Sequence, residues 1–140
     1  MTNIQIATAT AFHYLGRPYI WGGDGTEKYF GGLDCSGFVQ KVLEPVGFDP
    51  VGDQTAQALY NAYKVKKTEA RLEGCLLFFG KSEQAIYHVA YCLSPAYMIE
   101  AGGGYSKCTT VAIANEMNAC VKVSKISRRS DLVAVVNPFS

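Results

Sequence analysis

The sequence predicts an α+β domain with helices at its N-terminal end packed on an antiparallel sheet. Three observations carry that reading. From Thr2 to Tyr63 apolar residues recur at helical spacing. From Gly74 onward the pattern becomes short apolar runs divided by turn residues, about five strands in all. No linker, repeat or low-complexity tract separates the two halves, so residues 1–140 read as a single domain in which helices precede strands.

The first helix is expected over Thr2–Leu15, where Ile6, Ala9, Ala11, Phe12 and Leu15 recur before Gly16 and Pro18. Next comes Arg17–Gln40, RPYIWGGDGTEKYFGGLDCSGFVQ, a glycine-rich loop running into a second helix. Asp34 is a good N-cap residue, Phe38, Val39, Val42 and Leu43 follow at helical spacing, and Gly47 ends the segment. Gln54–Tyr63 reads as a short third helix after Pro50 and Gly52, with a packing role favoured over lining a groove. Gly74–Phe79 is a buried strand; His88–Leu93 and Tyr97–Ala101 form a hairpin across Ser94-Pro95. A loop opens at Gly102–Gly104, Val111–Met117 forms a short helix, and Ala119–Ile126 and Leu132–Val136 complete the sheet.

With 140 residues, 49% hydrophobic, the chain is long enough for a core without disulfides or metal. A net charge of +1 gives no reason to expect nucleic acid as a partner. The one basic cluster, Lys122, Lys125, Arg128 and Arg129, reads as a solvated strand and turn, with a weak attraction to anionic wall polymers as the alternative. No apolar run is long enough to span a membrane, and the first residues lack a signal-peptide pattern. Five cysteines are an odd number, and their spacing from His13 and His88 matches no zinc pattern, so no metal or other cofactor is expected. Cys75, Cys92 and Cys120 read as core thiols; Cys108 is ambiguous.

Cys35 falls in the first turn of the second helix, where free N–H groups and the helix dipole favour an anion. Bringing a thiol from a pKa of about 8.5 to neutrality requires about 2 kcal/mol, and a helix end supplies only ~0.3–1 kcal/mol. A cationic imidazole is therefore needed to give a thiolate. His13 sits beside a polar helix face with nothing nearby to make it a base, which leaves His88. Glu100 lies in the next strand; hairpin strands run about 5 Å apart, so its carboxylate can accept the imidazole N–H, the role of a third triad member. The alternative for Glu100 is a solvent-facing strand position. The alternative for Cys35 is an inert buried thiol.

The ordered set PYIWGG, DCSGFVQ, GCLLFFG, HVAYCL and MIEAGGG resembles the NlpC-type cysteine peptidases of the bacterial cell wall, over about Thr2 to Val136. The resemblance implies a papain-like fold with the nucleophile at a helix N-terminus. It implies hydrolysis of peptidoglycan stem peptides, typically between γ-D-glutamate and the diamino acid. Cys35 matches the nucleophile, His88 the general base and Glu100 the third polar position, which is more often His. Tyr19 matches the tyrosine near the oxyanion, and Asp34 and Ser36 match residues that in some members hold the amine of the stem's N-terminal alanine. The loop Asp24–Leu33 is longer than the short family version, and no wall-binding repeat is seen.

The resemblance thus points to a cysteine endopeptidase or amidase whose partners are peptidoglycan stem peptides. Without an export signal, such a protein would be made in the cytoplasm and delivered to the wall by a phage particle, a lysis pore or an injection system. A phage virion or tail assembly, or an immunity protein, would then be a further partner. Two other readings stay open: a catalytically idle module of a larger assembly such as a phage tail, and a papain-like acyltransferase or deamidase.

Overall fold

The computed structural model describes residues 1–140. Four α-helices, α1 (Asn3–His13), α2 (Cys35–Leu43), α3 (Ala56–Tyr63) and α4 (Val111–Met117), accompany six strands. The strands are β1 (Lys67–Thr68), β2 (Leu76–Gly80), β3 (Ile86–Cys92), β4 (Tyr97–Gly102), β5 (Cys120–Lys125) and β6 (Leu132–Val136). They form one antiparallel sheet in the order β1-β6-β2-β3-β4-β5. The α+β class holds, but the sheet has six strands rather than five. The extra one is the two-residue β1, too short and polar to register as a strand in sequence, which pairs Lys67 with Val136 and Thr68 with Val135.

Each long element is explained by its own residues. Thr2 caps α1 through a reciprocal exchange with Gln5, Asp34 caps α2, Thr55 caps α3 and Thr110 caps α4. Nearly all of α2 is buried, so it runs through the protein interior rather than along its surface. The main core joins α1 and α2 to one face of the sheet through residues such as Ala7, Phe38, Val39, Phe78, Val89, Tyr91 and Ile99. A smaller cluster of Cys75, Leu77, Phe79, Ala90, Cys92, Met98, Ile126 and Val135 covers the other face. Alternation along β3 therefore sends Val89 and Tyr91 into the main core and Ala90 and Cys92 into the second.

Cys75 and Cys92 are core thiols, and Cys108 is buried too, its Sγ 3.1 Å from the carbonyl of Tyr19. Cys120 is not: it opens the edge strand β5 and is half-buried. The expected hairpin is β3–β4, where Ser94 Oγ accepts the N–H groups of Ala96 and Tyr97 and ties the turn. No helix is long and apolar enough to cross a membrane.

Candidate active site

The glycine-rich loop reaches α2 because Gly37 has no side chain. Its carbonyl at Gly23 accepts the N–H of Asp34 at 3.1 Å, and a Cβ on residue 37 would collide with that same carbonyl. Asp34 Oδ1 caps the helix by accepting from Gly37 N at 2.7 Å, and Ser36 Oγ donates to it at 3.3 Å. The N–H groups of Cys35 and Ser36 have no backbone acceptor and lie beside the sulfur, where they favour its anion.

Cys35 stands between two cavities. One, of about 370 Å³, is lined by Asp34, Ser36, Asp53, Gln54, Thr55 and Ile86 among others. The second, of about 430 Å³, is lined by His88, Glu100, the Gly102–Gly104 loop, Tyr105, Arg128 and Arg129. Tyr19, Trp21, Cys35 and Tyr87 line both. Gly104 packs so closely on the ring of Tyr19 that a Cβ there would overlap it, which fixes the tyrosine against the cavity wall.

His88 and Glu100 meet across the β3–β4 hairpin, as the closeness of its two strands allowed. His88 Nε2 lies 2.7 Å from Glu100 Oε1, and the imidazole packs on Phe79 with ring centroids 5.5 Å apart. The solvent-facing alternative for Glu100 fails, because the residue is 0% exposed. Burial alone would raise its carboxyl pKa, yet the hydrogen bonds and charge of His88, with Ser124 and Arg128, outweigh burial and hold it at about 2.

The fourth member of this group was not anticipated. Arg128 Nη2 donates to Glu100 Oε2 at 2.6 Å. Within a run of basic residues it reads as solvated, and 56% of its side chain is indeed exposed, but its head is committed to the buried carboxylate. The only hint in sequence is that Glu100 needs a partner. Ile126, buried in the second core cluster, anchors the 3₁₀ turn Ile126–Arg128 that brings the guanidinium there. Arg129 turns instead to Asp131, at 3.0 and 2.9 Å, and its guanidinium lies 4.6 Å from the centre of the Phe79 ring.

In the free protein the surroundings of Cys35 oppose the expected thiolate. Burial first, and then the Asp34 carboxylate, push the Cys35 thiol up to about 12 despite nearby backbone N–H groups. Its Sγ makes no hydrogen bond to His88 and lies 4.0 Å from the carbonyl oxygen of Tyr87, one residue before it, where only a protonated sulfur can donate. Cys35 and His88 thus share a cavity without being engaged. Tyr19 is shifted upward by burial and then by Cys35 and Asp34, so it is a neutral phenol; its hydroxyl has no protein partner. Asp34 is pushed up to about 6, chiefly by burial, with its hydrogen bonds from Gly37 and Ser36 opposing. His13 lies exposed on α1, away from both cavities.

With this geometry in place, comparison with known proteins gives the family. Residues 16–125 match the NlpC/P60 family model. The chain belongs to the NlpC/P60 family. It is 38% identical over 99 residues to Protein P54 of Enterococcus faecium, a match covering 71% of this chain and 18% of that protein, so it spans under a fifth of that relative's length. The NlpC/p60 domain of the peptidoglycan hydrolase SagA is 28% identical, with 97% of this chain and 99% of that one covered and a TM-score of 0.71. The peptidoglycan hydrolase RipB of Mycobacterium tuberculosis is 26% identical, with 99% and 65% covered and a TM-score of 0.74. RipD of the same organism, described as a non-catalytic NlpC/p60 domain adapted to peptidoglycan binding, shares the fold at 21% identity, 98% coverage of both chains and a TM-score of 0.72.

Proposed function

We propose that this NlpC/P60 protein is a peptidoglycan hydrolase, a cysteine endopeptidase or amidase that cleaves stem peptides between γ-D-glutamate and the diamino acid. One observation carries the reading: Cys35 opens α2 on a cavity shared with an imidazole already fixed by a buried, ionised carboxylate. Substrate in the cavity displaces the sulfur from the Tyr87 carbonyl toward His88, which takes its proton. The sulfur then bonds to the scissile carbonyl carbon, and the free N–H of Cys35 with the Tyr19 hydroxyl stabilises the oxyanion. The imidazolium gives its proton to the leaving amine as the C–N bond breaks, and later activates water to hydrolyse the thioester. Asp34 and Ser36 line the cavity on the other side of Cys35, where an ionised carboxylate suits the free amine of a stem peptide.

The test is incubation of the protein with muropeptides, reading new amine ends by mass spectrometry. Cys35→Ala is expected to abolish cleavage; His88→Ala to lower the rate by about 10²-fold or more, and Glu100→Gln by less. Cleavage unaffected by Cys35→Ala removes the mechanism.

The unengaged sulfur favours one rival, a module that binds peptidoglycan without cutting it. Muropeptides that bind the protein and are released uncut would support that rival. An acyltransferase or deamidase would instead release a product in which an amine replaces water, or would release ammonia. Since the substrate lies in the wall, we propose delivery there by a phage particle, a lysis pore or an injection system. Finding the chain in purified virions tests the first route.

A further inference from the structure

Glu100 is held by a different partner at each oxygen, His88 Nε2 at 2.7 Å on Oε1 and Arg128 Nη2 at 2.6 Å on Oε2. A carboxylate held at one oxygen only can rotate about its terminal torsion, which is broad. A donor on each oxygen removes that freedom, and with it the freedom of the imidazole. The two partners of the carboxylate differ in kind. A guanidinium keeps its proton, whereas an imidazole can gain and release one.

We propose that Arg128 is a positioning residue for His88, acting through Glu100: it locks the carboxylate's orientation and shares its negative charge. The second part follows from charge balance. A buried, ionised Glu100 facing His88 alone would hold the imidazole in its protonated form, unable to take the proton of Cys35. With Arg128 on the other oxygen, the Arg128–Glu100 pair is neutral overall, so the cluster carries no net charge while His88 is neutral and a single positive charge once it takes a proton, and Glu100 holds that proton less firmly than it would alone. The surrounding fold supports the placement. The buried Ile126 side chain anchors the turn, Ile126 N–H bonds the Ala96 carbonyl at 2.9 Å, and Arg129 N–H bonds the Ile126 carbonyl at 3.1 Å. Arg129, pinned by Asp131, covers the Phe79 ring on which His88 packs.

The charged and titratable groups that share the cavity of His88 are Glu100 from β4, Cys35 from α2, Tyr19 from the glycine-rich loop, Tyr87 from β3 itself, Tyr105 after the Gly102–Gly104 loop, and Arg128 and Arg129 from the turn after β5. Only Arg128 among the cations touches Glu100.

The kinetic part of the test rests on the hydrolase reading; the spectroscopic part does not. Imidazole titration of His88 by ¹⁵N-edited NMR is compared in wild type, Arg128→Ala and Arg128→Lys, with the exposed His13 as internal control. Loss of the cation is expected to move the His88 titration to higher pH and leave that of His13 in place. Arg128→Lys, which keeps the charge without the planar fork, restores the titration. On a stem peptide, Arg128→Ala is expected to lower kcat about tenfold or more, as when a hydrogen bond to a charged group is lost, with KM changed less than about twofold. Arg128→Lys recovers part of kcat. A His88 titration unmoved in Arg128→Ala overturns the proposal whatever kcat does. Should that variant fail to fold, Arg128→Gln carries the same comparison. If wild type cuts no stem peptide, the hydrolase reading falls while the titration still decides the role of Arg128.

Discussion

Burial and the helix end pull the Cys35 thiol in opposite directions. A helix N-terminus contributes ~0.3–1 kcal/mol toward the thiolate, whereas desolvation disfavours any charge placed there, and Asp34 adds a repelling carboxylate. Reasoning from sequence weighed the helix and the histidine, but the depth of the sulfur appears only once β3 closes over it. A thiol is therefore expected in the free protein, and the rate of Cys35 alkylation by iodoacetamide should keep rising between about pH 6 and pH 9. A rate flat over that range would mean a preformed thiolate–imidazolium pair. Asp34 gives a second residue-scale outcome. Asn is as good an N-cap as Asp and carries no charge to bury, so Asp34→Asn is expected to melt no lower than wild type at neutral pH. It should raise KM for stem peptides bearing a free amine, while wild-type KM rises as pH falls through about 6. Cys35, His88 and Glu100 were legible because local patterns place each one: an N-cap before a helix, and two neighbouring strands of one hairpin. Arg128 was not, because its contact with Glu100 spans 28 residues and depends on how a turn folds back over the sheet.

At the scale of the elements, the loop-to-helix step rests on close backbone approach. The Gly23 carbonyl occupies the space that a side chain at residue 37 would need. Gly37→Ala is expected to destabilise by about 1–3 kcal/mol, the usual cost of overpacking, read as a lower urea midpoint with an unchanged slope. Local patterns located α1 to α4, with the Asp34 cap marking α2, since those signals lie within each segment. Strand order was another matter. The C-terminal β6 inserts between β1 and β2, pairing Phe78 with Ala134 and Lys67 with Val136. Such pairing is chosen by which apolar faces match in three dimensions, and nothing within Leu132–Val136 names its neighbours.

Across the whole molecule, the acid limb of stability reports the same buried network. Glu100 is held at about 2, below its ordinary value, so its contribution is complete above the unfolded carboxyl pKa of about 4.3 and fades as pH falls toward 2. Asp131, lowered by Arg129, acts in the same direction. Asp34, raised to about 6, has the opposite sign: its protonated form is favoured in the fold, so its contribution declines as pH rises from about 4 to about 6. The melting temperatures of wild type and Glu100→Gln are expected to converge as pH drops from about 5 toward 2. A constant gap would show that Glu100 is not ionised in the fold. The central claim concerns the sulfur itself, and intact-protein mass spectrometry during turnover of a stem peptide addresses it most directly. The expected result is a transient increment equal to the acyl half of the peptide, mapped to Cys35 and absent from Cys35→Ser; cleavage with no such adduct, or with the adduct on another residue, would contradict it.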